Sequence, residues 1–194
     1  MSNPEVEWLR RAQNGDDEAF GYLVEQYQKP VYNLCYRMLG SDSQEAEDAA
    51  QETFWRAYQA IKRYDPSRSF VTWLLSIAAH YCIDQQRKRR LPITELDEIL
   101  EETAPDVNIP NPERTMSQSE HQQAIQSLLQ TLAPQDRAAV VLRYWYEFSE
   151  EEISRALNLS TSAVKSRLHR ARLKLAQEWQ ASQADEAYEE RMHA

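Results

Sequence analysis

Apolar residues recur along most of this chain at intervals of three and four, the spacing of one helical face, and no stretch alternates convincingly with period two. From Asp16 to Leu39 they fall at Phe20, Leu23, Val24, Tyr27, Val31, Leu34, Cys35 and Met38, a stripe closed by Gly40 and Ser41. Pro30 lies inside that stripe and predicts a kink or break near Lys29, because proline lacks the amide donor and crowds the preceding turn. A second helix is expected from Asp42 or Ser43 to about Arg63, with Ala46, Ala50, Phe54, Ala57 and Ile61 on one side. "YDPSRS" interrupts the pattern. A third long helix follows from Phe70 to about Arg89, with Phe70, Trp73, Leu74, Ile77, Ala78 and Tyr81 inward. A shorter one over Glu5 to Gln13 precedes all three.

Residues 91–113, "LPITELDEILEETAPDVNIPNPE", carry four prolines, seven acids and no Lys or Arg, the composition of an extended, charged and flexible linker. Helical spacing resumes near Pro112, with a stripe of Ala124, Ile125, Leu128, Leu129 and Leu132 ending before Pro134. The next segment, "PQDRAAVVLRYWYE", turns Ala138, Val141, Leu142 and Trp145 inward. A short helix over Glu150–Leu157, a break at "NLS" and a basic helix complete the pattern, and the polar tail after Trp179 is expected to fray. The predicted fold is all-α: two small helical domains joined by an acidic linker.

Composition supports this picture. Only three glycines occur in 194 residues, too few for the turns of a strand-rich fold. Cys35 and Cys82 are too few and too far apart for a disulfide framework or a zinc motif, and both fall in apolar stripes, as buried thiols do. The chain has no run of eighteen apolar residues, and "MSNPEVEWLRR" lacks the apolar centre of a secretion signal, so a soluble, cytoplasmic protein without membrane insertion is expected. The formal net charge of -9 disfavours long-range attraction to nucleic acid.

Against that acidity, "STSAVKSRLHRARLKL" (160–175) carries five Lys or Arg and no acid. With Val164 at zero on a helical wheel, Leu168, Ala171 and Leu175 lie within about 40° and form a buried stripe. Ser162, Lys165, Ser166 and His169 project about 100° to 200° away, and Arg167, Arg170 and Arg172 flank them. Upstream, Ile153 and Leu157 turn inward, Asn158 suits a left-handed turn, and Ser160 or Thr161 can cap the next helix. Short helix, three-residue break and basic helix describe a helix-turn-helix whose second helix enters the major groove. The alternative is a solvated basic helix on a bundle surface, but the apolar spacing of both helices fits the motif.

With these segments in order, the chain resembles an extracytoplasmic-function sigma factor of the sigma-70 family over nearly all of residues 16–180. "DSQEAEDAAQETFWRAYQAIKRYDP" resembles the helix that binds core polymerase, "SFVTWLLSIAAHYCIDQQRKRR" the helix that reads and melts the −10 element, and "LAPQDRAAVVLRYWYEFSEEEISRALNLSTSAVKSRLHRARLKL" the region that reads the −35 element. The resemblance implies a region-2-like domain at 1–90, a linker at 91–113, a region-4-like domain at 114–180 and a polar tail at 181–194. It implies a bacterial initiation factor with no catalytic residue, cofactor or metal of its own. Its partners would be promoter DNA, the clamp helices of the largest subunit of core RNA polymerase, and an anti-sigma factor. Polymerase contacts are expected from Asp48, Gln51, Glu52, Phe54 and Trp55. Contacts to −10 DNA are expected from Tyr64, Arg68, His80, Asp84, Arg87, Lys88, Arg89 and Arg90. Contacts to −35 DNA are expected from Ser160, Thr161, Ser162, Lys165, Ser166, Arg167, His169, Arg170 and Arg172. A dimeric regulator that binds a palindrome alone would leave "AEDAAQETFWRAY" without a role. An enzyme is disfavoured further, because on a helix Cys82 points away from His80 and Asp84.

Overall fold

The structure, a computed structural model, describes residues 4–40, 42–90 and 112–192, so the expected linker lies outside the described residues up to position 111. Among the described residues the helices are α1 (Pro4–Gln13), α2 (Asp17–Leu39), α3 (Ser43–Ala60), α4 (Phe70–Arg90), α5 (Pro112–Gln130), α6 (Pro134–Trp145), α7 (Glu150–Leu157) and α8 (Thr161–Met192), with a single 3-10 turn over Ile61–Arg63.

Local sequence explains most boundaries. Asp16 accepts a hydrogen bond from the Ala19 amide at 3.1 Å and starts α2, and Asp42 accepts from the amides of Gln44 and Glu45 and starts α3. Gly40 ends α2 with φ +123°, a backbone that a side chain would strain. Pro30 does not break α2: the helix runs from Asp17 to Leu39 as one element. The amide that proline lacks would have bonded the carbonyl of Gln26, whose residue is exposed to water. Beyond Trp179 the backbone continues as helix to Met192.

α2, α3 and α4 form the N-terminal bundle, with α1 laid across α2. Ala46, Ala49, Ala50 and Ala57 are buried on α3, and their small side chains let it pack closely on α2 and α4, whose Leu23, Leu34, Leu74 and Leu75 are also buried. Each such leucine contributes roughly 1.5–3 kcal/mol by leaving water. Cys35 and Cys82 meet in this core as free thiols. A hydrogen bond to Cys35 and burial push the Cys82 thiol well above its ordinary range, so it is protonated and unreactive.

The C-terminal unit packs α6, α7 and α8 around Leu132, Ile153, Val164, Leu168 and Ala171. Its helix α6 is buried at every position from Arg137 to Leu142. Such a helix needs cover on two sides. Its own domain supplies one side, and α2 and α4 supply the other.

Two readings of the apolar pattern need correction at this junction. Trp145 is 37% exposed and Ile125 45% exposed, and Ala124 also faces solvent. In their place Gln126 is buried and donates to the Tyr36 carbonyl at 2.6 Å, in the last turn of α2.

Candidate nucleic-acid interface

The turn between α7 and α8 is built by short-range hydrogen bonds. Ser149 and Glu152 form a reciprocal capping box at the start of α7, and the Ser149 amide and hydroxyl hold the Glu152 carboxyl below its usual range. Asn158 adopts φ 52°, ψ 50°, the left-handed conformation its side chain tolerates. Ser154 donates its hydroxyl to the Leu159 carbonyl across the break, and Ser160 accepts from the Ala163 amide at 3.1 Å, capping α8. The short break and both helix starts are therefore encoded locally.

On α8, Val164, Leu168 and Ala171 are buried, while Ser162, Lys165, Ser166, His169, Arg170 and Arg172 are exposed. Thr161 is half-buried beside the exposed cap Ser160. Lys165 pairs loosely with Glu150 of α7 at 3.5 Å, which leaves its amine accessible. Arg167 departs from expectation. Its guanidinium lies 2.6 Å from Asp136 of α6, with only 24% and 16% of the two side chains exposed. It braces α8 against its own domain rather than facing outward. Arg167→Ala should cost about 1–2 kcal/mol of stability, since it removes a charged hydrogen bond in a half-buried site. It should leave the salt dependence of DNA binding almost unchanged, whereas a lost phosphate contact lowers that slope by about one. Urea denaturation and a salt titration together check this; a reduced slope with unchanged stability would refute it.

The loop before α4 and the helix itself carry a second candidate surface. Arg68 is exposed, 3.6 Å from Asp65, whose carboxyl is held below its usual range by hydrogen bonds from Ser67. His80, Asp84, Arg87 and Lys88 are exposed and follow one another at intervals of four, three and one, so they share a face of α4. His80 bonds through Nδ1 to the Ser76 carbonyl at 2.8 Å, which turns Nε2 outward. Arg89 is exposed and pairs with Glu45 of α3. The Arg90 side chain lies outside the described residues.

Tyr64 does not belong to that surface. It is 4% exposed, its ring packs on Phe70 and Trp73, and its hydroxyl donates to the Arg68 carbonyl. Burial raises its pKa. Its part is to hold the loop in shape. Sequence reasoning missed the hydroxyl-rich cleft beside it, where Ser67, Ser69, Thr72, Trp73 and Ser76 enclose about 170 Å³. The run of small hydroxyl residues at one end of α4 was the available signal.

A third surface lies on α3. Asp48 and Gln51 are exposed, Glu52 pairs with Arg56 at 2.7 Å, and Phe54 is half-buried. Trp55 is 56% exposed and stacks on Tyr58 at 6.1 Å. Gln51 and Phe54 also border a groove of about 470 Å³ against Val24, Gln28 and Tyr32 of α2. A flat aromatic beside polar groups and an open groove is a surface suited to a protein partner.

Comparison with known proteins gives a consistent result. Residues 23–91 match the model of Sigma-70 region 2, and residues 122–175 match that of Sigma-70 region 4. The chain is 37% identical to the ECF RNA polymerase sigma factor SigW of Bacillus subtilis (strain 168), over 84% of this chain and 90% of that protein. It is 33% identical to the ECF RNA polymerase sigma-E factor of Escherichia coli (strain K12), over 84% of this chain and 88% of that protein. Among solved structures it resembles CnrH in its complex with the cytosolic domain of CnrY, with a TM-score of 0.67, 26% identity, and coverage of 92% of this chain and 99% of that one.

Proposed function

From the premise that the chain belongs to the sigma-70 family of RNA polymerase sigma factors, we infer how it performs the work of an extracytoplasmic-function member. It binds core RNA polymerase and directs initiation at promoters by reading −10 and −35 elements. Sigma factors are non-catalytic regulators, and phosphodiester formation belongs to the polymerase. No described helix is long and apolar enough to cross a membrane, and the chain acts in the cytoplasm beside polymerase. An anti-sigma factor is its natural antagonist.

The observation that carries this reading is the exposed, acid-free face of α8 above a buried apolar stripe. Ser162, Lys165, Ser166 and His169 read base edges of the −35 element, while Arg170, Arg172, Ser160 and Thr161 meet the backbone and set register. The face of His80, Asp84, Arg87 and Lys88, with Arg68, Arg89 and Arg90, handles the −10 strand. Unstacked bases there can enter the hydroxyl-lined cleft against Trp73. Asp48, Gln51, Glu52, Phe54 and Trp55 dock the clamp helices of the polymerase. The N-terminal domain spans 1–90 and the C-terminal one 114–180. The linker connects them, with its acids either keeping it open by self-repulsion or seating it in a basic channel.

Adding the protein to core polymerase and a pool of promoters, then mapping start sites, tests the reading. Discrete start sites that require the protein are expected. No specific transcript, together with binding of the free protein to a palindrome, would replace the reading with that of a dimeric regulator. In the same assay Lys165→Ala should relax preference at one −35 base pair, by about 1–3 kcal/mol of discrimination. Arg170→Ala should weaken all promoters about equally. Identical promoter profiles for the two variants would defeat this division of roles.

A further inference from the structure

α1 carries none of the residues assigned to DNA or to polymerase, yet its last residue is fastened to the loop that leads into α4. The Gln13 side-chain nitrogen donates to the Tyr64 carbonyl at 2.7 Å and to the Ile61 carbonyl at 3.2 Å. A carboxamide has two N–H donors, so both are spent on this one stretch of backbone, about fifty residues away along the chain. The Ile61 carbonyl also accepts from the Tyr64 amide at 3.0 Å. The chain entering the loop is therefore fixed from within and from α1.

Tyr64 carries that constraint to the far end of the loop. It is buried, whereas Asp65, Pro66, Ser67, Arg68 and Ser69 are all exposed. Its ring packs on Phe70 and Trp73 with centroids 5.5 and 5.1 Å away, and its hydroxyl donates to the Arg68 carbonyl. Burial raises its pKa, which keeps the proton that this bond needs. Between the two ties, the Arg68 amide donates to the Asp65 carbonyl at 3.0 Å and closes a turn, with Pro66 in the second position that proline suits. α1 also supports the ring cluster. Glu5 accepts from the Tyr27 hydroxyl at 2.9 Å, and the Tyr27 ring meets Phe70 edge-on at 5.3 Å.

This loop supplies Ser67, Arg68 and Ser69 to the hydroxyl-lined cleft. Its residues are exposed from 65 to 69, so its shape comes from these bonds and not from burial of its own side chains. A surface that tells one base edge from another needs its donors held in place before the base arrives. We propose that Gln13, acting through Tyr64, is a positioning residue for −10 recognition: it sets the base preference of the loop before α4 without touching DNA. The inference rests on the reading of that loop and α4 as the −10 surface. A loosened loop would still offer the Arg68 charge to a phosphate, which carries no sequence information, but would lose the fixed hydroxyls that discriminate between bases.

The test uses the full chain with core polymerase and promoter pools randomised separately over the −10 and −35 elements. Gln13→Ala should lower preference at the −10 positions that the loop reads by about fivefold or more, the lower end for one base contact, and leave −35 preferences unchanged. Gln13→Lys should restore the preference, because one ammonium nitrogen can donate to both carbonyls. Tyr64→Phe keeps the ring, removes the hydroxyl, and should flatten the same positions. In the free protein, amide exchange over residues 67–69 should quicken about fivefold in Gln13→Ala, the equivalent of one ordinary hydrogen bond. An unchanged −10 profile in Gln13→Ala would overturn the proposal. A uniform fall across all promoters with both profiles intact would do the same, since lost stability alone produces that result. Should Gln13→Ala unfold by circular dichroism, Tyr64→Phe decides, and an unaltered −10 profile in that variant sinks the idea. Wild-type protein that gives no promoter-specific start sites would instead overturn the sigma-factor reading itself, while the exchange measurement, which needs no promoter, still reports on the tie between α1 and the loop.

Discussion

Arg137→Ala is expected to lower stability by about 3–5 kcal/mol, the range for losing a large buried side chain together with its hydrogen-bond partners' satisfaction. Arg137 is 2% exposed in α6, next to the buried apolar run Ala138–Leu142. Its guanidinium donates to the side chain and backbone carbonyl of Gln130, to the Leu132 carbonyl at 3.2 Å, and across the domain junction to Met38. Alanine would leave those acceptors dry and a cavity between α2, α5 and α6. For a chain of this size the loss should lower Tm by roughly 6–20 °C, at about 2–4 °C per kcal/mol. Arg137→Lys should recover only part of it, because an ammonium cannot span several carbonyls with a planar fork. Urea denaturation followed by circular dichroism measures both. A loss below about 1 kcal/mol for alanine, within the range of an ordinary surface change, would mean that the buried network contributes little.

Trp55→Ala should give the largest functional loss without a stability change. An exposed aromatic that becomes the buried centre of an interface typically contributes at least about 2 kcal/mol, or roughly thirtyfold in affinity. Trp55 fits that description: it is 56% exposed, held flat by stacking on Tyr58, and bordered by the exposed Asp48 and Gln51. Because it has little to lose in the free protein, its truncation should change folding stability by no more than about 0.5 kcal/mol. Fluorescence anisotropy of labelled protein titrated with core polymerase would measure the affinity. Weakening of less than about threefold would remove Trp55 from the docking surface and shift attention to the groove lined by Tyr32 and Phe54.

The helix-turn-helix was the most legible part of the chain. Its caps, its left-handed Asn158 and the wheel of α8 depend on residues within a few positions of one another, and the structure has Val164, Leu168 and Ala171 buried as that wheel requires. The same local logic located the starts of α2 and α3. It failed where a helix meets something distant. Trp145 and Ile125 fit an apolar stripe yet lie at the surface, because α2 presents polar carbonyls at that junction and Gln126 answers them. Tyr64 carries the ring and hydroxyl that a stacked base would want, but Phe70 and Trp73 close over it. Arg167 lies among outward arginines in sequence, and only the position of Asp136, 31 residues earlier, turns it inward.

The amino-acid sequence by itself determined the helices, the order of the segments, the family resemblance and the exposed polar side of α8, because periodicity, capping and charge are properties of neighbouring residues. Only the tertiary structure decided which polar side chains are buried and that the two readers rest against each other. Those outcomes depend on where the α2 carbonyls of Pro30, Tyr36 and Met38 come to lie relative to Tyr146, Gln126 and Arg137, and no local pattern records a partner that lies about a hundred residues away along the chain.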